Sequence, residues 1–220
     1  MPTLSDTMAL LPVKSLDSGK TRLSPLLDAR ERAALIPVMV EDILNAFSAF
    51  ARMPVLVVTG DTRVAAMAAA RGFGALMEQE CTSETAAIEA ATRRAGELGA
   101  AGTMVVPGDI PLLQAEDLAA VLESAPPRGT LLVPAWDGRG TNAVLRRPHN
   151  LFPLRFGNDS FLPHRQSAEH TGLPCRILHN ERLALDVDSP EDLLRFLAHP
   201  TRTLTHRVVE TFQLERRLAR

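Results

Sequence analysis

Short apolar runs rich in β-branched residues recur along the chain, each separated from the next by a stretch of helical period. This alternation constrains the fold more than any other feature. Residues 8–13, 54–59, 103–107 and 130–135 have the length and composition of buried strands. Residues 75–79, 142–145, 176–178 and 183–186 are shorter strand candidates. Helical patterns run over 28–50, with an interruption or restart expected at Pro37, and over 62–71, 83–98, 114–123, 160–170 and 189–197. Repeated β-α units predict an α/β sandwich with a mainly parallel sheet. In such sheets ligands sit beyond the carboxyl ends of the strands, so the residues that follow strands are the ones to inspect. Residues 200–220, with five arginines and an apolar set that includes Val208, Phe212 and Leu218, read as a terminal amphipathic helix or extended arm.

Composition removes several function classes. With 220 residues, 45% of them hydrophobic and 23% charged, the chain suits one sizeable soluble core. A net charge of −2 gives no overall basic field for nucleic acid, and the absence of Tyr beside a single Trp (Trp136) leaves no stacking platform for single strands. No apolar run reaches the length expected of a membrane span, and the start MPTLSDTMALL lacks the charged region and cleavage pattern of a signal peptide, so a cytoplasmic setting is expected. Cys81 and Cys175 stand in no zinc-binding spacing and read as reduced packing residues.

The loop after the first strand reads LPVKSLDSGKTRLSPLL over 10–26. Its Gly19-Lys20-Thr21 resembles the end of a phosphate-binding P-loop, but the first glycine of G-x-x-x-x-G-K-[ST] would fall at position 14, which is Lys14. Pro25 also comes too soon for the long helix that a P-loop feeds. What remains is a loop carrying Lys14, Lys20 and Arg22. It either grips a polyphosphate through side-chain charge or is a solvated surface loop.

Two acidic sites follow strand-like runs: VVPGDIPLL with Asp109, and LALDVDSPEDL with Asp186 and Asp188. Carboxylates gathered at strand ends are the usual way to hold Mg²⁺ beside substrate phosphates. Asp188 also suits a helix cap, since Ser-Pro-Glu-Asp follows it, and Asp109 could serve to shape the turn before Pro111. Asp186 ends an apolar run and has no such local use. GRGTNA at 138–143 matches a dinucleotide fingerprint only formally, because Pro148 leaves no room for the required helix. It reads instead as a glycine-flanked turn exposing Thr141. RFGNDSF at 155–161 is a second glycine turn, with Ser160 opening a helix; it is either an anion-binding amide cluster or an ordinary capped helix. His164 lies one turn on from Ser160 and reads as structural.

Taken in order, VKSLDSGKTRLSP, VVTGD, VVPGDIPLL, GTNAVLRRP, FGNDSFLPH and LALDVDSPEDL resemble the guanylyltransferase family of coenzyme F-420 biosynthesis, whose members act on 2-phospho-L-lactate, phosphoenolpyruvate or 3-phospho-D-glycerate. The resemblance covers roughly residues 8–198 as one nucleotidyltransferase domain and leaves 199–220 as a C-terminal helical tail. It implies a single-domain, Rossmann-like three-layer sandwich of the nucleotide-diphospho-sugar transferase type, with a mixed, mainly parallel sheet. It implies GTP as co-substrate, Mg²⁺ as metal, and transfer of GMP to a small phosphorylated acid with release of pyrophosphate. Lys14, Lys20 and Arg22 then match the triphosphate-holding loop; Asp109, Asp186 and Asp188 match the metal positions; Thr141, Gly157 and Ser160 match the positions that bind the acid. One departure is Ser83-Glu84-Thr85-Ala86-Ala87, where the family shows a Gly-Leu-Asn-like opening. The alternatives are a nucleotidyltransferase for a sugar phosphate or a molybdopterin-type cofactor, and a nucleotide-binding module without turnover. The expected partners are small molecules only; a homodimer stays open, as does the choice of acid.

Overall fold

The computed structural model describes residues 6–17, 19–78, 83–157, 159–214 and 217. Gln79, Cys81, Asn158 and Leu218, each part of an expectation above, lie outside them. Seven strands form one sheet: β1 (Thr7–Pro12), β2 (Val55–Thr59), β3 (Gly74–Met77), β4 (Gly102–Val105), β5 (Gly129–Pro134), β6 (Thr141–Arg147) and β7 (Cys175–Ile177), in the order β3-β2-β1-β4-β6-β5-β7. Only β6 is reversed. It pairs antiparallel with β4 and β5, and every other pairing is parallel. The expected mixed, mainly parallel sheet is present.

The period of two along each strand sorts side chains onto two faces. Ala9 and Leu11 of β1 face one apolar cluster, while Met8 and Leu10 face the other. Val55 and Val57 of β2 are split from Leu56 and Val58 in the same way. The first cluster is covered by α1 (Ala29–Phe50), α2 (Thr62–Ala69), α4 (Ala115–Ser124), α6 (Pro190–Ala198) and α7 (Leu204–Thr211). The second is covered by α3 (Glu84–Glu97) and α5 (Phe161–His170). The result is helix, sheet, helix, as the repeated β-α pattern requires.

Two expected details are corrected. Pro37 does not interrupt its helix: α1 runs unbroken from a capping box in which Asp28 and Glu31 bond each other's backbone N–H. A proline inside a helix costs about 3 kcal/mol. Leu35, Ile36, Met39, Val40, Ile43, Leu44 and Phe47 bury their side chains along the same helix, at roughly 1.5–3 kcal/mol each, and that outweighs the cost. By length and composition α1 could cross a membrane, and these core contacts are how a core helix meets that measure. Residues 183–186 are not a strand. They form a turn and an irregular extension whose backbone bonds go elsewhere: Trp136 N–H donates to the Ala184 carbonyl (2.8 Å), and Val187 N–H to that of Asp109 (3.0 Å). Asn180 shapes this turn by accepting from Leu183 N–H (2.9 Å), and both Asn180 and Arg182 are tied to Asp117 of α4 (2.8 Å each).

β1 and β4 are neighbours, yet the chain leaves β1 toward β2 on one side and reaches β4 on the other. A crevice opens where the order reverses in this way. Gly108 allows the loop after β4 to close on the end of β1, since a Cβ there would lie 2.8 Å from Val13 Cγ2 and 3.0 Å from the Pro12 carbonyl oxygen.

Candidate active site

Beyond the carboxyl ends of β1 and β4, three segments distant in sequence converge. The loop after β1 is pinned at its middle: Leu16 N–H donates to Asp61 Oδ2 (3.1 Å), and the Arg63 guanidinium forks onto Asp17 (2.9 and 2.7 Å). The loop then turns through Gly19 (φ 150°) and Lys20 (φ 53°), both in backbone conformations that side chains disfavour. This turn drives the Lys20 side chain inward, to 9% exposure, where Nζ donates to Asp109 Oδ2 (2.7 Å) and to Asp188 Oδ1. Burial by itself would lower the Lys20 pKa. The Asp109 and Asp188 carboxylates together outweigh it and hold the ammonium above its ordinary value.

Asp109, Asp186 and Asp188 each bring one carboxylate oxygen within 4.8 Å of the others. Asp188 does not cap α6. Ser189 caps it, in a capping box with Asp192 and with Pro190 at the first turn, so the Asp188 carboxylate is left to the cluster. Asp186 Oδ1 accepts from Asn142 Nδ2 (3.0 Å), which also donates to the Leu183 carbonyl (3.0 Å). Burial, and then the neighbouring Asp109, push the Asp186 carboxyl up to about 7, against the lowering effect of Asn142. Asp109 Oδ1 is buried without a hydrogen-bond partner. Three carboxylates with more negative charge than Lys20 balances, one orphaned oxygen among them, fit a hard divalent cation bound through oxygen.

A cavity of about 680 Å³ extends from the carboxylates. Thr141, Gly157 and Ser160 line it too, so the structure brings the expected acid-binding positions together. Ser160 opens α5, but its side chain makes no cap bond. Its hydroxyl crosses to Thr141 Oγ1 instead (3.2 Å). His164, 1% exposed, completes the arrangement. Its Nε2 accepts from Arg155 N–H (2.9 Å), so the neutral ring carries its proton on Nδ1 and donates it to Thr141 Oγ1 (3.0 Å). Burial, with Arg146 adding to it, lowers the His164 pKa to about 4 and keeps the ring neutral. With two bonds accepted, the Thr141 hydroxyl keeps its own proton to donate. His164, read from its spacing as structural, is a buried support for Thr141. Asn142 is the contributor that sequence reasoning missed, and nothing local indicated it.

The three cations of the loop separate. Lys20 enters the carboxylate cluster, and Arg22 lines the large cavity from an exposed position. Lys14, 77% exposed, pairs with Glu84 (3.2 Å) beside a second cavity of about 210 Å³ lined also by Val13, Glu78 and Ser83. Trp136, Arg139 and Asp159 also line the large cavity. Trp136 donates to Asp192 (2.7 Å) and is stacked under Arg195 (3.8 Å).

Comparison with known proteins adds three findings. The family model described as "Guanylyl transferase CofC like" matches residues 7–218. The chain is 39% identical to the phosphoenolpyruvate guanylyltransferase of Rubrobacter xylanophilus, over 86% of this chain and 93% of that one. It is 32% identical to the 3-phospho-D-glycerate guanylyltransferase of Colwellia psychrerythraea (93% and 99% covered) and 34% identical to the 2-phospho-L-lactate guanylyltransferase of Methanothermobacter thermautotrophicus (88% and 85%). A solved structure from Desulfovibrio desulfuricans G20, described as a nucleotide-diphospho-sugar transferase, shares the fold at a TM-score of 0.76 and 22% identity, covering 97% of this chain and 98% of that one.

Proposed function

The chain belongs to the CofC-like guanylyl transferase family, a family of nucleotidyltransferase enzymes, and we propose that it transfers GMP from GTP to a small phosphorylated carboxylic acid, releasing pyrophosphate, in coenzyme F-420 biosynthesis. The acid is phosphoenolpyruvate, 3-phospho-D-glycerate or 2-phospho-L-lactate, the acceptors named for the relatives. Those names count against the sugar-phosphate and molybdopterin alternatives. The unit is one nucleotidyltransferase domain over 8–198, followed by a C-terminal tail from 199 whose described part folds α7 back onto α1, working on small molecules in the cytoplasm.

One observation carries the reading: Lys20 from the first loop meets Asp109 and Asp188, which line one cavity together with Thr141 and Ser160. In the proposed reaction an oxygen of the acid's phosphate attacks the α-phosphorus of GTP. The bond from that phosphorus to the bridging oxygen breaks, and pyrophosphate leaves with the electron pair. The attacking phosphate is ionised at neutral pH, so no protein nucleophile is required. Catalysis is positioning and charge neutralisation. Asp109, Asp186 and Asp188 hold Mg²⁺, which when bound neutralises charge developing on the phosphates. Lys20 and Arg22 hold the triphosphate, with Lys14 at the outer end of the same loop. The smaller cavity beside Lys14 takes the nucleoside, where the Glu78 and Glu84 carboxylates suit the N–H donors on guanine's edge. Thr141, through its free hydroxyl proton, donates to the acid together with Ser160 and the backbone at Gly157.

The test is direct. Purified protein is incubated with GTP, Mg²⁺ and each of the three acids, pyrophosphate is measured, and the product is weighed. Release with at least one acid, and a product heavier than that acid by one guanylyl group, is expected. No release with any of them overturns the reading.

A further inference from the structure

The acid's phosphate must face the carboxylate cluster and GTP, which leaves its carboxylate to the remaining lining of the cavity, the Thr141 and Ser160 segments among it. The hydroxyls there are neutral, and the described lining is rich in carboxylates that repel a polyanion: Glu84, Asp137, Asp159, Glu191 and Asp192, besides the cluster itself. Its described cations are Arg22, on the triphosphate side, and Arg139. Arg139 lies two residues before Thr141, and Asp159 one residue before Ser160, so the pair bridges the two segments that carry those hydroxyls. Arg139 is fixed by its backbone. Its N–H donates to Asp137 Oδ1 (2.8 Å), and its carbonyl accepts from Phe161 N–H at the start of α5 (2.9 Å). Only its side chain is free to move. That side chain forks onto Asp159, Nε to Oδ1 at 2.5 Å and the terminal nitrogen to Oδ2 at 3.2 Å, with 67% and 60% of the two side chains exposed.

Resting on the proposed function, we infer that Arg139 is the specificity-determining cation of the acceptor site, leaving Asp159 on binding to fork onto the carboxylate of the phosphorylated acid. The geometry of the fork is already that of a guanidinium on a carboxylate, so the substrate replaces like with like. Exposed ion pairs hold little net free energy, so the exchange is cheap. Asp159 is a placeholder that competes with the substrate. It holds the Arg139 side chain until the substrate takes it.

The test uses two variants whose effects run in opposite directions. Arg139→Gln removes the cation. Asp159→Asn removes the competitor and keeps the left-handed backbone there (φ 57°), which asparagine tolerates. KM is measured for the acid that the wild type uses and for its counterpart without the carboxylate: glycerol 3-phosphate for 3-phosphoglycerate, vinyl phosphate for phosphoenolpyruvate, ethyl phosphate for phospholactate. Arg139→Gln is expected to raise the KM of the acid roughly 10- to 100-fold, to leave the counterpart unchanged, and to leave the KM of GTP within about twofold. Arg139→Lys is expected to recover part of the loss, and Asp159→Asn to lower the KM of the acid. The inference is overturned if Arg139→Gln leaves the KM of the acid unchanged or weakens acid and counterpart alike. It is equally overturned if Asp159→Asn raises the KM as Arg139→Gln does, since a merely structural pair would behave that way. A wild type inert with all three acids removes the functional reading and this inference with it. A wild type that turns over while ignoring Arg139 removes this inference alone.

Discussion

Lys20 shows how a single side chain can stand between two roles. It is bonded to Asp109 and Asp188, carboxylates that would also hold a metal. Replacing it with Met leaves the cluster with one less positive charge, so Mg²⁺ should raise the melting temperature of Lys20→Met more than that of the wild type. Turnover should nevertheless fall roughly 10²–10³-fold, the usual effect of losing one preorganised donor to a reacting phosphate or oxyanion. Thermal shift and pyrophosphate assays check the two halves. His164 gives a pH prediction. Its folded pKa, about 4, lies below the ordinary value of 6.5, so the unfolded chain takes up the proton first. Stability from this group is therefore complete above pH 6.5 and is lost as pH falls through 4, by about 3 kcal/mol in all. Urea midpoints of wild type and His164→Gln between pH 7 and 4 test this, and the wild type should lose more. Asn142 belongs to the same scale. No spacing rule links it to Asp186, because the bond joins β6 to an irregular segment more than forty residues on.

At the scale of elements, α1 and α7 carry the predictions. Pro37 removes one helical bond in a helix that forms regardless, so Pro37→Ala should stabilise the protein by about 1–2 kcal/mol, most of the helix-interior penalty less the unfolded-state entropy regained. The urea midpoint measures it. The opposite holds for Asp42 on the same helix. Its carboxylate accepts from Leu204 N–H (2.9 Å), Thr205 N–H (2.9 Å) and the Thr205 hydroxyl (2.7 Å), closing the start of α7 onto α1. His206 then stacks on Phe196 of α6 (3.8 Å). Asp42→Ala leaves those donors without a partner and should cost about 2–4 kcal/mol. Faster amide exchange in α7 than in the sheet would show that the loss is local. The strand-helix alternation was legible because burial on both faces leaves unbroken apolar runs, and because caps such as Asp28 and Ser189 mark helix starts. Residues 183–186 misled because an apolar run ending in Asp looks the same whether its backbone joins a ladder or bonds Trp136.

For the whole molecule, the site exists only when the sheet is assembled, so its ligands should report on global stability. At a hundred times their dissociation constant, GTP and Mg²⁺ bound together should add about 2.7 kcal/mol. For a chain of this size that is a rise of roughly 5–10 °C in melting temperature, removed by chelating the metal. A metal-independent shift of the same size would contradict a role for Asp109, Asp186 and Asp188 in holding it. The sequence alone determined the alternation of strands and helices, the acidic residues at strand ends and the cationic loop, because hydrophobic period, caps and turn residues are local properties that a chain carries wherever it folds. Only the tertiary structure decided that β6 runs backwards between β4 and β5, that Lys20 rather than Lys14 enters the carboxylates, and that Ser160 and His164 leave Thr141 a free proton. Those outcomes depend on which segments meet in space, and contacts between distant residues leave no period in the sequence to read.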